Sequence, residues 1–127
     1  KSEPLLIKIS KETTLYIGKN NKQNDYVTFT LARGKDLWFH TKNIPGSHVI
    51  LKTTLPQATA SDIAAAVLLA AYFSKSRSGR QVVPVDCTER RFVKKPNGAK
   101  PGFVIYTDQT TYYATPDEAA AQKLLSK

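Results

Sequence analysis

The sequence contains one cysteine, no methionine and few acidic residues, and it has no long hydrophobic run. With Cys87 alone no internal disulfide can form, which fits a reducing compartment or a surface protein that needs no bridges. No apolar stretch approaches the roughly 18 residues that span a bilayer, and nothing at the start resembles a signal peptide, so we predict no membrane insertion. No glycine-rich phosphate-binding motif precedes a helix, so nothing supports a nucleotide cofactor.

Positive charge is what the chain has in excess. Its 127 residues suffice for one domain with a hydrophobic core, and they carry a formal net charge of +9. Most of this charge lies between residues 75 and 100, where eight basic residues face two acidic ones. Such a cluster attracts polyanions, whereas the alternative is a well-solvated surface. The asymmetry favours nucleic acid over solvation alone.

Residues 36–51, DLWFHTKNIPGSHVIL, predict a hairpin. Asp36, Trp38 and His40 alternate with two apolar residues, so a strand would place these three on one face. The segment 44–47 predicts a type II turn, in which Gly46 needs a positive φ. Residues 49–51 then return as a buried strand, and both imidazoles lie near the tip.

The remaining patterns indicate an α+β fold. Strands are predicted at 5–9, 14–18 and 26–32, with an exposed polar loop over 19–25, which gives an antiparallel meander of about five strands up to residue 51. A helix over 60–76 has Thr59 as its N-cap. We therefore predict an antiparallel meander or mixed sheet packed against one main helix, with a short C-terminal helix.

Three chemical interpretations of the hairpin are open. His40, His48 and Asp36 could supply metal ligands, but their spacing matches no established site, so we predict no metal. Ser47 beside an imidazole lacks the strained turn and oxyanion donor of a nucleophile site, so we predict no catalytic residue and no enzyme activity. The third interpretation is structural, with imidazoles bonded to backbone or to Asp36 and Trp38 in the core.

Several segments together resemble a known family. They occur in family order and cover most of the chain: NNKQND at 20–25, the hairpin segment at 36–51, AAYFSKSR at 70–77, VPVDCT at 83–88 and RFVKKPNGAKPGFVIY at 91–106. They are similar to the RNA-binding domain of the NFACT family, the C-terminal domain of RqcH/NEMF-type proteins. In streptococci and staphylococci these proteins are also called fibronectin- or fibrinogen-binding proteins.

The resemblance implies a non-catalytic role in ribosome-associated quality control. Family members bind the large ribosomal subunit blocked by peptidyl-tRNA, recruit tRNA, and promote C-terminal tailing of the stalled chain. We accordingly expect residues 1–127 to be one domain, a C-terminal fragment of a longer multidomain cytoplasmic protein that needs no cofactor. The alternative is an adhesin module that binds host fibronectin or fibrinogen at the cell surface after non-classical export.

The charge pattern and the resemblance together give the candidate site residues. The predicted nucleic-acid contacts are exposed basic and amide side chains: Lys19, Asn20, Asn21, Lys22, Lys75, Arg77, Arg80, Arg91, Lys94, Lys95 and Lys100. The motif residues at the hairpin are candidates for recognition of RNA shape or bases: Asp36, Trp38, His40, Pro45, Gly46, Ser47 and His48. Contacts to phosphates position an RNA and carry little sequence information.

Overall fold

The computed structural model describes residues 2–127, which form eight strands and three α-helices. The strands are β1 (Leu5–Lys8), β2 (Thr13–Ile17), β3 (Leu37–Thr41), β4 (Val49–Thr53), β5 (Val83–Glu89), β6 (Val93–Lys94), β7 (Ile105–Tyr106) and β8 (Thr110–Ala114). The helices are α1 (Asn21–Tyr26), α2 (Ala60–Tyr72) and α3 (Glu118–Leu125), with a π-helical turn at Val27–Leu31 and a 3-10 turn at Arg90–Phe92. The predicted α+β class is confirmed.

Six strands form one antiparallel sheet in the order β1-β2-β4-β3-β5-β8, and β6 and β7 form a separate ribbon. The predicted five-strand meander is wrong in detail, because β4 lies between β2 and β3 and only four strands precede α2. The hairpin β3–β4 is confirmed, with Trp38 opposite Ile50 and Phe39 opposite Val49. Its central place in the sheet fixes the position of every hairpin side chain.

Helix α2 covers one face of the sheet. It begins at a capping box in which Thr59 Oγ1 accepts from the Asp62 amide at 3.0 Å and the Asp62 carboxylate accepts from the Thr59 amide at 3.3 Å. The helix ends at Tyr72, not at residue 76 as predicted, because the chain then turns to pair with the hairpin through a bridge between Gly46 and Ser74. Burial of each large apolar side chain in this core contributes about 1.5–3 kcal/mol. The core includes Leu15, Ile17, Phe39, Leu51, Leu69 and Ala121.

The opposite face of the sheet is covered by α1, the π-helical turn and the β6–β7 ribbon. Trp38 and Ile50 are fully buried there against Val27, Ala32 and Val93. Among residues 2–127 no helix combines the length and the apolar character needed to cross a membrane. The sheet therefore has a large core beneath α2 and a smaller one beneath α1.

The prediction of a strand over residues 26–32 is wrong. The Ala32 amide donates to the Val27 carbonyl at 2.9 Å, which is the i→i+5 bond of a π-helix. Val27 and its neighbour Thr28 are both fully buried in this turn, and the Thr28 hydroxyl lies 2.8 Å from His48 Nδ1. The alternation of apolar and threonine residues was therefore a misleading signal.

Candidate nucleic-acid interface

The hairpin brings the two histidines and the tryptophan together, as the sequence predicted. The rings of Trp38 and His40 stack with centroids 5.8 Å apart, and the His48 ring meets each of them edge-on at 5.2 Å. Trp38 and His48 are buried, while His40 is half-buried. This cluster lies on the α1 side of the sheet, so α1 and the ribbon pack around it.

The turn at the hairpin tip differs from the prediction. The residue with positive φ is Asn43, at 56°, and Gly46 does not adopt a left-handed conformation. Glycine is needed at 46 for close approach instead, since an added Cβ would lie 3.0 Å from Thr41 Oγ1 and 3.1 Å from the Phe73 carbonyl. The predicted turn chemistry was wrong, whereas the requirement for glycine has a different, steric cause.

Backbone hydrogen bonds fix the tip against the segment that follows α2. The Ser47 amide donates to the Phe73 carbonyl at 2.9 Å, and the Lys75 amide donates to the Pro45 carbonyl at 2.9 Å. The Lys75 side chain is consequently held next to the tip although it lies about thirty residues away in sequence. This pairing joins part of the basic cluster to the motif.

His48 is held by three different parts of the chain. Its Nδ1 accepts from the Trp38 indole at 3.1 Å and lies 2.8 Å from Thr28 Oγ1, and its amide donates to Asn24 Oδ1 at 2.9 Å. Because an indole N–H can only donate, Nδ1 must carry a lone pair, so the ring is neutral with its proton on Nε2. Burial, assisted by the neighbouring His40, lowers the pKa of His48 to about 3 despite a backbone hydrogen bond at Gly102.

The acid beside the histidines is Asp86, not Asp36. Asp36 forms an ion pair with Lys52 and caps the Arg33 amide at 2.8 Å, so the alternative in which the imidazoles bond to Asp36 is wrong. Asp86 lies opposite His40 in the register of β3 and β5. Burial lowers the pKa of His40 more than the Asp86 carboxylate raises it.

Asp86 is completely buried and accepts from three donors. Thr111 Oγ1 lies 2.7 Å from one carboxylate oxygen, and the Tyr106 hydroxyl and the Lys42 ammonium contact the other, the latter at 3.0 Å. Burial alone would raise the pKa of this carboxyl, but these hydrogen bonds outweigh it and hold the pKa below its usual value. Burial, with the bond to Asp86, raises the pKa of Tyr106.

The polar segment 19–25 is largely helical, so its assignment as a loop is wrong. Asn20 is the N-cap of α1, and its Oδ1 accepts from the Gln23 amide at 2.9 Å. Asn24 points inward to the hairpin, while Asn21 and Lys22 are exposed. The helix therefore presents two of the predicted contacts to solvent and uses Asn20 and Asn24 for structure.

Two adjoining clefts flank the start of α1, and both are lined by lysines. The tip cleft, of about 270 Å³, lies between α1, the hairpin tip and the segment after α2; the loop cleft, of about 490 Å³, lies between α1 and the loop 95–104. They share Asn20 and Asn21, and no carboxylate lines either one. The lysines of the tip cleft are Lys19 and Lys75, and those of the loop cleft are Lys22 and Lys100.

A third cleft, the ribbon cleft, lies on the β6–β7 ribbon. Its volume is about 410 Å³, and its lining residues are Arg91, Phe92, Lys94, Ile105, Tyr106 and Thr107. The structure thus divides the predicted contacts among separate places, with Arg91 and Lys94 here and the four lysines of the other two clefts around α1.

Three of the predicted cations form internal contacts, and one of them is Arg91, whose Nε donates to the Glu89 carboxylate. The Lys95 ammonium lies 3.2 Å from Asp25 and 3.0 Å from the Phe103 carbonyl, so it ties the loop to α1. The Arg77 guanidinium lies over the Tyr72 ring, 3.8 Å from its centroid. Arg80 is exposed. Lys95 and Arg77 therefore stabilise the surface whether or not they also contact a ligand.

The side chains around the hairpin can be compared with those of a metal site or a catalytic site. Within the described residues, no three His, Cys, Asp or Glu side chains converge as a metal site would require. The Ser47 amide bonds to Phe73, and the partners of His48 are Trp38, Thr28 and the Gly102 backbone. Both imidazoles thus pack against Trp38 within the domain, and His48 also forms hydrogen bonds there.

Sequence reasoning missed Asn24, Thr28, Asp86 and Tyr106. The four-residue spacing of Asn24 and Thr28 would have indicated one helical face, had the segment been assigned as a helix. Asp86 and Tyr106 carry no local signal, because what joins them to the hairpin is the placement of β5 and β7. These residues are the supports of the motif.

A surface on which lysines cluster without carboxylates is typical of a nucleic-acid-binding domain. The family model described as NFACT protein RNA binding domain matches residues 5–108, and the chain belongs to this family. The resemblance stated from sequence is therefore confirmed.

Relatives and a solved structure agree with this assignment. The chain is 50% identical over 111 residues to the Rqc2 homolog RqcH of Bacillus subtilis and 49% identical over 106 residues to that of Streptococcus pneumoniae, covering 87% and 84% of this chain. It spans 19% of the length of each of these relatives. The C-terminal part of the fibronectin/fibrinogen-binding protein of Streptococcus suis has a TM-score of 0.88 at 41% identity, and the match covers 98% of this chain and 49% of that one.

Proposed function

We propose that this domain binds tRNA and the large ribosomal subunit as the RNA-binding part of an RqcH-like quality-control factor, without catalysing a reaction itself. The observation that carries the proposal is the pair of clefts around α1, where lysines from three distant parts of the sequence border surfaces that lack carboxylates. Phosphate oxygens are the complementary ligands, and counterion release would supply much of the affinity.

The proposed phosphate contacts are the exposed lysines of the tip and loop clefts, Lys19, Lys22, Lys75 and Lys100. Asn21 lies between them and can donate or accept a hydrogen bond to a ribose or a base. The hairpin motif acts beneath them as a scaffold, because His48 holds α1 through Asn24 and the tip holds the segment of Lys75. We infer that the motif serves binding by positioning these side chains.

We also propose that residues 1–127 form one C-terminal domain of a longer cytoplasmic protein that promotes tailing of stalled nascent chains. The relatives named RqcH support this, since their chains are about five times longer than this one. Other domains would then supply the remaining contacts with the ribosome. The adhesin alternative has support in the name of the Streptococcus suis protein, and the following experiment includes it.

The test compares two charge-reversal pairs with the same change in net charge. Lys19→Glu with Lys75→Glu removes both lysines of the tip cleft, and Lys11→Glu with Lys35→Glu changes exposed lysines outside the tip and loop clefts. We expect the first pair to weaken tRNA binding and to reduce the slope of log K against log salt by roughly 0.7–0.9 per contact. The second pair should retain nearly the wild-type slope.

Equal losses in the two pairs would show that binding follows net charge and not the clefts, and unchanged binding in both would refute the proposed surface. Fibronectin is titrated in parallel with each protein. If the wild-type domain binds fibronectin tightly and tRNA not at all, the adhesin function replaces the proposed one.

A further inference from the structure

We propose that the outer face of the β6–β7 ribbon is a stacking site for an unpaired nucleobase of the bound RNA. This inference rests on the proposed function, since it assumes that the ligand is RNA. It adds a base-dependent contact, separate from the phosphate contacts around α1.

The two faces of the ribbon differ in what they contact. Val93 pairs with Tyr106, and this pair packs inward: Val93 is fully buried and the Tyr106 ring lies 4.7 Å from the Trp38 ring. Lys94 pairs with Ile105 on the other face, where Ile105 is 52% exposed. The outer face therefore combines a cation with an apolar side chain that the domain itself does not cover.

One phenylalanine shares the cleft with Ile105, and a second is exposed close to it in sequence. Phe103 lies two residues before Ile105 and is 57% exposed, and Phe92 lines the same cleft as Ile105. None of the three side chains belongs to either hydrophobic core of the domain. Exposed large apolar groups that form a cluster, instead of occurring singly, mark an interaction surface.

The charges beside this surface favour a nucleotide as its occupant. The Arg91 guanidinium lies 4.4 Å from the Phe92 ring, with Glu89 bonded to its Nε, and Lys94 borders the same cleft, which no carboxylate lines. Aromatic rings and guanidinium planes are the groups on which unstacked bases rest, while nearby cations neutralise the flanking phosphates. A cleft of about 410 Å³ is also within the ~300–1,000 Å³ range of small-ligand sites.

The occupant would be a base in a loop, bulge or single-stranded end. In an A-form duplex the bases are stacked on one another, and their faces are not available to a side chain. The ribbon offers a π-face beside cations, and every base has a π-face that can stack on it. We therefore expect a preference for unpaired RNA with little selectivity among sequences.

The experiment measures binding of the 127-residue chain to a short oligoadenylate and to an abasic oligonucleotide of the same length and backbone. The variants are Phe92→Ala, which removes the ring, and Phe92→Trp, which keeps one. Leu6→Ala is the matched control, because Leu6 is 61% exposed on β1, the strand at the far end of the sheet. Circular dichroism melting checks that each variant folds.

We expect the wild type to bind oligoadenylate more tightly than the abasic strand, by roughly 5- to 150-fold if one base stacks. Phe92→Ala should remove most of this difference at an unchanged salt slope, while Phe92→Trp and Leu6→Ala should retain it. If the wild type binds both strands equally, or if Phe92→Ala keeps the full difference, the stacking inference is overturned while RNA binding stands. If neither strand nor tRNA binds, the proposed function itself fails.

Sedimentation equilibrium tests whether a second copy of this chain, instead of a base, covers the apolar face of the ribbon. A wild-type dimer that Phe92→Ala converts to a monomer would assign the ribbon to self-association and overturn the stacking site. A wild-type monomer under the binding conditions supports it, since the face is then open to RNA.

Discussion

The indole N–H of Trp38 donates to Nδ1 of His48 across 3.1 Å, with both side chains buried. This bond fixes a neutral imidazole in the native protein, and burial lowers the pKa of His48 to about 3. In the unfolded chain a histidine has a pKa of about 6.5. The two states thus differ in proton uptake over the acidic range.

We expect the free energy of unfolding to fall as the pH is lowered from about 6.5 toward 3. The unfolded chain takes up a proton at His48 that the native state does not accept, and one such proton corresponds to about 1.4 kcal/mol per pH unit. The lowered pKa of His40 acts in the same direction. Urea unfolding across this range measures the slope, and His48→Asn, which cannot be protonated there, should reduce it. Equal slopes in the two proteins would contradict the assignment.

Gly46→Val should lower the free energy of unfolding by about 1–3 kcal/mol through overpacking. The added side chain would meet Thr41, the Phe73 carbonyl and Ser74, all within 3.1 Å of the Cβ position. Gly79→Ala serves as the control, since its Cβ would meet only the Ser76 carbonyl at 3.3 Å. Thermal melting compares the two variants. If Gly46→Val had the melting temperature of the wild type, the hairpin tip would have to rearrange around the added side chain at little cost in free energy.

Lys94 and Lys95 are neighbours that should respond differently to the same substitution. Lys95→Glu breaks the contacts with Asp25 and the loop carbonyls and should destabilise the domain by about 1–3 kcal/mol. Lys94→Glu changes an exposed side chain on the ribbon and should leave the free energy of unfolding within about 0.5 kcal/mol of the wild-type value. Denaturant unfolding measures the free energy of unfolding of both variants. Comparable losses in the two would mean that the contacts of Lys95 do not stabilise the loop.

Asp86→Asn should be far more destabilising than Asp108→Asn. An amide at 86 cannot accept from Thr111, Tyr106 and Lys42 together, so at least one of these contacts to a fully buried side chain is lost, at a cost of about 1–3 kcal/mol. Asp108 is exposed and has a φ of 62°, which asparagine tolerates. Chemical denaturation at neutral pH compares the pair, and similar midpoints would argue against a structural role for Asp86.

The parts of the fold that sequence predicts well are those whose determinants are local. The start of α2 depends on Thr59 and Asp62, three residues apart, and the hairpin strand β3 depends on simple alternation. The π-helical turn could not be predicted in this way, because its driving contacts are with Trp38 and His48, which follow it in the chain. The position of β4 between β2 and β3 likewise depends on pairing across long separations.

The candidate site shows the same limit. Counting charges located a basic cluster between residues 75 and 100, but it could not show that Lys75 belongs beside Lys19 or Lys100 beside Lys22. Nor could it show that Lys95 faces Asp25. Charge is a property of composition, whereas its availability to a ligand depends on tertiary neighbours.

The place of β8 at the sheet edge has a consequence for the folding of this protein during its synthesis. Strand β5 can pair with β3 as soon as both have been synthesised, but its other edge is covered only when residues 110–114 have followed. The hydrogen bond from Thr111 to the buried Asp86 also forms only then. A nascent chain halted before that point would expose an unpaired strand edge, the kind of surface that recruits other strands. Premature arrest of its synthesis would thus leave an aggregation-prone product that itself requires disposal.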